Sequence, residues 1–256
     1  MLLTIDIGNT NIVLGGFRGE ELVAQFRLIT QPERTSDEYG VLTVALFREA
    51  GFAPGDVEGI IICSVVPPLT PIIETMARER FGHVPLMIEP GVKTGMPILY
   101  ENPHEVGADR IVNGVAAFHR YGGPAIVIDF GTATTFDTIT AKGEYLGGVI
   151  APGVKISAEA LFSRAARLPR VDLKRPSRVI GRNTVASMQS GIYFGYAGLV
   201  EGIVKRIIAE LGEGTKVIAT GGLAPAFEDV LPFVNAFDTH LTLHGLRLVY
   251  ERNRPA

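Results

Sequence analysis

The sequence predicts an α/β fold built twice, each copy a mixed sheet flanked by helices. Three observations carry this expectation. An apolar strand ending in Asp-x-Gly and small polar residues occurs once in each half, at Leu2–Thr10 and again at Ala125–Ala133. In the first half, strand-like and helix-like patterns follow in the order strand, strand, strand, helix, strand, helix, strand. A length of 256 residues accommodates two domains, and the repeat places them at 1–115 and 116–256.

The elements can be justified in order. Leu2–Ile5 is a short apolar, β-branched run that reads as a buried strand closing on Asp6. Gly8, Asn9 and Thr10 make a tight turn, and Ile12-Val13-Leu14 returns as a second strand. Glu21–Leu28 alternates apolar and polar residues and reads as a third. Thr35 and Glu38 fit a capping box, opening a helix with Val41, Leu42, Ala45 and Leu46 on one face that ends near Gly51. Gly59–Val66 reads as a buried strand. Thr70-Pro71 opens a second helix, on which Glu74 and Arg78 lie one turn apart, and Val84–Ile88 reads as a fifth strand. Three antiparallel strands followed by parallel ones would make the sheet mixed.

Glu89–Glu105 is a long polar connection holding Pro90, Pro97 and Pro103; connections of this length inside compact domains are usually functional or disordered. It leads into Gly107-Ala108-Asp109-Arg110 and a helix with Ile111, Val115 and Phe118 on one face, ending at Gly122. The second hairpin, around Asp129, follows. Glu144–Ile150 reads as a strand containing Gly147-Gly148, and Ala151-Pro152-Gly153 leads to a helix through Leu161 and Arg167. Arg164–Arg178, rich in Arg, Lys and Pro, reads as a solvated loop. Asn183 caps the longest helix, Thr184–Leu211. Gly191, Gly195, Gly198 and Gly202 lie along one side of it. Each lowers helix stability relative to alanine, so close packing on a second subunit or on the protein's own sheet is expected. Lys216–Ala219 reads as a strand running into Gly221-Gly222, and Leu241–Tyr250 as a final helical run.

Turn amides and small hydroxyl or amide side chains at a hairpin tip suit phosphate oxygens. Asp6 beside such a tip is a candidate Mg²⁺ contact, since hard cations on nucleotides take one or two carboxylates. An ordinary hairpin in which Asp6 caps the turn is the competing reading. Two such tips facing each other would hold a polyphosphate, a layout that resembles the actin, hexokinase and Hsp70 class of ATPases, whose domains are ribonuclease H-like. Arg110 falls in the first turn of a helix, where anions rather than cations are favoured. A guanidinium so placed often serves a carboxylate or phosphate, although a surface pair with Asp109 is the simpler alternative.

The totals narrow the function class. Hydrophobic residues are 46% of the chain, charged residues 20%, and the formal net charge is −3, with no basic run to bind nucleic acid. No apolar stretch approaches a membrane span, and the apolar start, interrupted by Asp6, is too short for a signal peptide. The single Cys63 sits in an apolar run, which fits a buried packing role in a reducing compartment. There is no P-loop, no Gly-x-Ser-x-Gly and no Cys/His zinc spacing, and the five scattered histidines read as structural or surface residues.

Taken together, Asp6-Ile7-Gly8-Asn9-Thr10, Tyr100, Gly107-Ala108-Asp109-Arg110, Asp129-Phe130-Gly131-Thr132 and Thr184 resemble the type III pantothenate kinase family. The resemblance runs from residue 1 to near the C-terminus, without departure at these positions. It implies an actin-like fold, a cytoplasmic homodimer, ATP as phosphoryl donor and pantothenate as acceptor, with Mg²⁺ or a similar divalent ion and K⁺ or NH₄⁺. The reaction implied makes 4'-phosphopantothenate, the first step of coenzyme A biosynthesis. By the same resemblance Asp109 is the base. Tyr100, Gly107, Ala108, Asp109 and Arg110 contact pantothenate, and Thr184 reaches the partner subunit's site. Asp6, Ile7, Gly8, Asn9, Thr10, Asn11, Ile12, Val13 and Thr132 contact ATP, and Asp129 is the monovalent-cation ligand. The alternatives are another actin-like small-molecule kinase, favoured by a long sugar-binding insertion that is not visible, and a non-catalytic accessory or regulatory relative, favoured by a loss of Asp109 that has not occurred.

Overall fold

A computed structural model of the protein describes residues 1–165 and 167–254. In chain order the first elements are β1 (Leu2–Ile7), β2 (Asn11–Arg18), β3 (Glu21–Ile29), α1 (Ser36–Glu49), β4 (Gly59–Ser64), α2 (Thr70–Phe81), β5 (Leu86–Met87) and α3 (Ala108–Tyr121). The rest are β6 (Ala125–Phe130), β7 (Ala133–Ile139), β8 (Tyr145–Pro152), α4 (Val154–Arg164), α5 (Thr184–Leu211), β9 (Lys216–Thr220), β10 (Ala236–Phe237) and α6 (Leu241–Asn253).

The chain divides into two compact units. One holds residues 1–96, 101–116 and the segment from Leu241 onward; the other holds 97–100 and 117–240. The first unit's sheet has the order β3-β2-β1-β4-β5, and the second's β10-β9-β6-β7-β8. The two orders are the same topology. In each, three antiparallel strands are extended by parallel ones on the far side of the first strand. Such a duplicated mixed sheet is what the repeat of Asp-x-Gly hairpins predicts.

In the first unit Leu3, Ile5 and Ile7 alternate onto one face of β1 and pack with Ile12, Leu14, Ile60 and Ile62 beneath Tyr39 and Phe47 of α1 and Ile73 and Met76 of α2. The expected capping box forms, with Glu38 accepting from the Thr35 amide at 2.8 Å. The Glu74–Arg78 pair forms as well, at 2.5 Å. β5 is shorter than its sequence suggests: Val84 is exposed and only Leu86–Met87 pairs with β4. The last helix, which a division at 115/116 assigns to the second half, belongs to the first unit. Its Leu241, Leu243 and Leu246 are buried, and it packs on β1, β2 and β4.

In the second unit Ile126, Ile128 and Phe130 of β6 pack with Val217 and Ala219 of β9 beneath Tyr193, Val200 and Val204 of α5. Asn183 caps α5 by accepting the Ala186 amide at 2.8 Å. α4 stops at Arg164, short of the expected Arg167. The glycine side of α5 does not pack on the protein's own sheet. Among the described residues, a Cβ on Gly191, Gly195 or Gly198 would meet nothing within 4 Å, and one on Gly202 would meet the Arg206 side chain.

Candidate active site

β1 delivers Asp6, half-buried, to the carboxyl end of the first sheet, in register with Cys63 on the parallel β4. β6 does the same for Asp129, half-buried and in register with Thr220 on β9. The two aspartates thus occupy the same rung of equivalent strands. Ligands of parallel sheets bind beyond the carboxyl ends of the strands, where both lie.

The hairpin tips differ in detail. In the first, Ile7 pairs with Ile12, so Gly8 to Asn11 make the turn; in the second, Phe130 pairs with Thr134, leaving Gly131 to Ala133. The Gly8 amide donates to the Asn11 carbonyl at 3.0 Å, and the Gly131 amide to the Ala133 carbonyl at 3.1 Å. Both glycine amides therefore close their own turns. The Gly8 N–H is thus engaged within its turn, and a Cβ on Gly8 would stand 3.1 Å from the Asn11 carbonyl. Thr30 braces the first turn, its hydroxyl donating to the Gly8 carbonyl at 2.6 Å. Asn9, Thr10 and Thr132 are exposed at the tips, while Ile12 is buried and Asn11 and Val13 half-buried.

Asp109 enters at the first turn of α3. Its Oδ1 accepts the Arg110 amide at 2.8 Å. Gly107 lies directly behind that oxygen, and a Cβ there would sit 2.5 Å from it. The bare α-carbon of Gly107 is thus what lets the carboxylate take this pose, a different reason for glycine than close approach by substrate. Arg110 is 8% exposed, unusually buried for an arginine and unlike the surface pair considered above. Burial raises the Cys63 thiol's pKa well above its usual value, and the nearby charges of Asp6 and Asp109 add to the effect. Cys63 itself is a core residue, inert for want of thiolate.

The remaining expected residues lie in the second unit. Tyr100 is half-buried beside Gly147, and Thr184 is exposed in the first turn of α5. Two further glycines pack against the Asp129 hairpin; Gly221, in a strand-to-helix turn whose Gly-Gly suits close approach of a nucleotide, instead meets the protein itself. Gly221, at φ 91°, packs against Asp129, where a Cβ would overlap Oδ1 and the Phe130 amide. Gly153 packs on the backbone of the Gly131-Thr132 turn. Among the described residues no group of three His, Cys, Asp or Glu is placed to hold a metal.

A family model for type III pantothenate kinase matches residues 2–206. The chain belongs to the type III pantothenate kinase family. Members of the family from Moorella thermoacetica and Geobacter sulfurreducens are each 57% identical to it, over 253 and 254 residues, covering 99% of this chain and 100% of theirs. Among solved structures, the ethanolamine utilization protein EutJ of Carboxydothermus hydrogenoformans aligns with TM-score 0.53 at 17% identity, over 96% of this chain and 89% of that one. Component A of the (R)-2-hydroxyglutaryl-CoA dehydratase of Acidaminococcus fermentans aligns with TM-score 0.56 at 13% identity, over 97% and 96%. At such identity these two speak for the fold alone, and that fold is the actin-like one expected.

The seat of Asp109 gives a direct expectation for this family member. Gly107→Ala should turn the carboxylate off the Arg110 amide and, if that carboxylate takes part in the reaction, lower kcat by about tenfold or more, because misplacing a reacting group by about 1 Å can reduce rate about 10²-fold. The melting temperature should barely change, since the displaced atom ends a short side chain. An unchanged kcat would show that the pose of Asp109 does not matter.

Proposed function

We infer that the protein transfers the γ-phosphoryl group of ATP to the primary hydroxyl of pantothenate, giving 4'-phosphopantothenate and ADP, as the first step of coenzyme A synthesis in the cytoplasm. The observation that carries this reading is the Gly107–Arg110 turn, where a carboxylate in a fixed pose adjoins a buried guanidinium. Asp109 accepts the proton that leaves the attacking hydroxyl. Arg110 binds the carboxylate of pantothenate or the transferring phosphoryl group, both of which suit a two-point guanidinium contact. Tyr100, Gly107 and Ala108 contribute further substrate contacts.

Asp6 to Val13 and Thr132 are the ATP contacts. A divalent ion held by Asp6 would, when bound, neutralise charge on the phosphates; the protein's own share is to hold donor and acceptor in line. Asp129 is the ligand for K⁺ or NH₄⁺. A coupled assay of ADP release with ATP and pantothenate, with K⁺ present or replaced by a large organic cation, tests the whole reading. No pantothenate-dependent ADP release would overturn it. Asp129→Asn should abolish most of the K⁺ stimulation while preserving the fold, because the ligand loses its formal charge. A variant as responsive to K⁺ as the parent would remove Asp129 from that role.

The active species in this reading is a homodimer, with Thr184 completing the partner's site. Its support is the glycine side of α5, where among the described residues nothing lies within 4 Å of a Cβ built on Gly191, Gly195 or Gly198. A groove of about 850 Å³ lies along it, lined by Leu161, Thr184, Met188, Gly191 and Gly195 among others. Val179 and Ile180 nearby are 65% and 82% exposed, apolar surface that a second copy would cover. An interface completing two sites should bury more than about 1,000 Å². Sedimentation showing a fully active monomer at assay concentration would contradict it.

A further inference from the structure

We propose that Gly147 is a positioning residue for pantothenate binding, acting through Tyr100, and that a bulge in β8 is the seat of the Tyr100 ring. β8 pairs regularly with β7 from Ala133↔Pro152 to Thr138↔Gly147, but the next pair is Ile139↔Tyr145, leaving Leu146 without a partner. An extra residue of this kind bends a strand and re-aims its neighbours. Gly147 accommodates the bend at φ 135°, a conformation that side chains disfavour. Its carbonyl is held by the Thr138 hydroxyl, which donates to it at 2.8 Å. The bulge is anchored from below by the fully buried Tyr145, whose hydroxyl donates to Asp137 Oδ1 at 2.7 Å, while the Thr135 hydroxyl donates to Asp137 Oδ2 at 3.1 Å.

The backbone of Tyr145 also receives the incoming chain. Its amide donates to the Pro97 carbonyl at 2.8 Å, and its carbonyl accepts the Leu99 amide at 2.8 Å, so residues 97–99 add a short parallel bridge to the edge of β8. The next residue is Tyr100. Its ring edge, Cδ2 and Cε2, lies 3.5 Å from where a Cβ of Gly147 would stand, and among the described residues beyond 146–148 no other atom comes within 4 Å of that point. The ring therefore lies on a bare α-carbon, at the end of a strand addition that the same bulge supports. A methyl group at 147 would only touch the ring. What excludes a side chain is the backbone angle: relieving it rotates the bulge and carries the ring with it. The expected result is a shifted tyrosine in a folded protein.

This inference rests on the reading that Tyr100 contacts pantothenate, and the test separates the two. Gly147→Ala should raise KM for pantothenate about tenfold, within the range that misplacement of about 1 Å produces. KM for ATP should stay within about twofold, since only one substrate's contact has moved. In a Tyr100→Ala background the same change should add less than about twofold, because residues acting through one another are non-additive. Thr138→Val, which frees the Gly147 carbonyl, should move KM in the same direction by a smaller factor, and it decides the matter if Gly147→Ala does not fold. If Tyr100→Ala alone leaves KM for pantothenate unchanged, Tyr100 is no substrate contact and the inference falls with it. If Tyr100→Ala raises KM but the Gly147 and Thr138 variants do not, or add to it independently, the seat is overturned while the contact stands.

Discussion

Asp109→Asn is expected to lower kcat by about 10²–10⁴-fold, the usual effect of removing a general base. The substitution keeps the side chain's shape but removes its capacity to take the hydroxyl proton. Pantothenate should still bind, so KM should change less than kcat, the pattern of an interaction made mainly in the transition state. Phosphoryl transfer is largely dissociative, and part of the loss will reflect an acceptor hydroxyl no longer aimed at the phosphorus. Arg110→Ala separates the two roles open to that residue. A raised KM for pantothenate assigns it to the substrate carboxylate, and a lowered kcat to the transferring group. Steady-state kinetics with both substrates varied makes the measurement, and an Asp109→Asn enzyme with near-normal kcat would return the base to the other carboxylates.

Both Asp-x-Gly hairpins, the order of the strands and the Asn183 cap were legible because each is written in local periodicity and turn chemistry. The Gly107 turn stood out in the sequence, but the packing behind it did not. Nothing along the sequence says that the atom behind Gly107 is Asp109 Oδ1. That Gly221 packs on Asp129 is illegible for the same reason, since there a missing side chain matters for what fills its place. A glycine inside a strand does hint at a bulge or a close approach, and Gly147-Gly148 carried that hint. The membership of α6 in the first unit was hidden because its partners, β1 and β2, lie at the other end of the chain.

Phe227→Ala should destabilise the second unit by about 3–5 kcal/mol, the range for emptying an aromatic site in a packed core. Phe227 is fully buried in the turn of 3₁₀-helix at Ala224–Val230. It stacks on Phe130 with ring centroids 5.1 Å apart and on Tyr193 at 5.3 Å, with Tyr196 tilted against it at 6.0 Å. Stacked pairs contribute about 0.5–1.5 kcal/mol each beyond their area, so a truncation loses both contacts as well as the volume. A whole domain is stable by only about 5–15 kcal/mol, which makes this a large fraction. Denaturant unfolding should show a lower midpoint at unchanged slope. On the cation role proposed for Asp129, which precedes Phe130, the same variant should also respond less to K⁺. A shift below about 1 kcal/mol would mean that the site collapses and refills.

The place of α6 also sets an order of assembly during synthesis. Domains generally fold as units while the chain emerges, the N-terminal one first. Here the first unit lacks one covering of its sheet until Leu241, Leu243 and Leu246 have left the ribosome, because those side chains close over β1, β2 and β4. The second unit, whose sheet and helices are all drawn from residues before 241, can close earlier. The half of the protein made first is therefore completed last, and until then the sheet carrying Asp6 has one apolar face uncovered for a chaperone to hold.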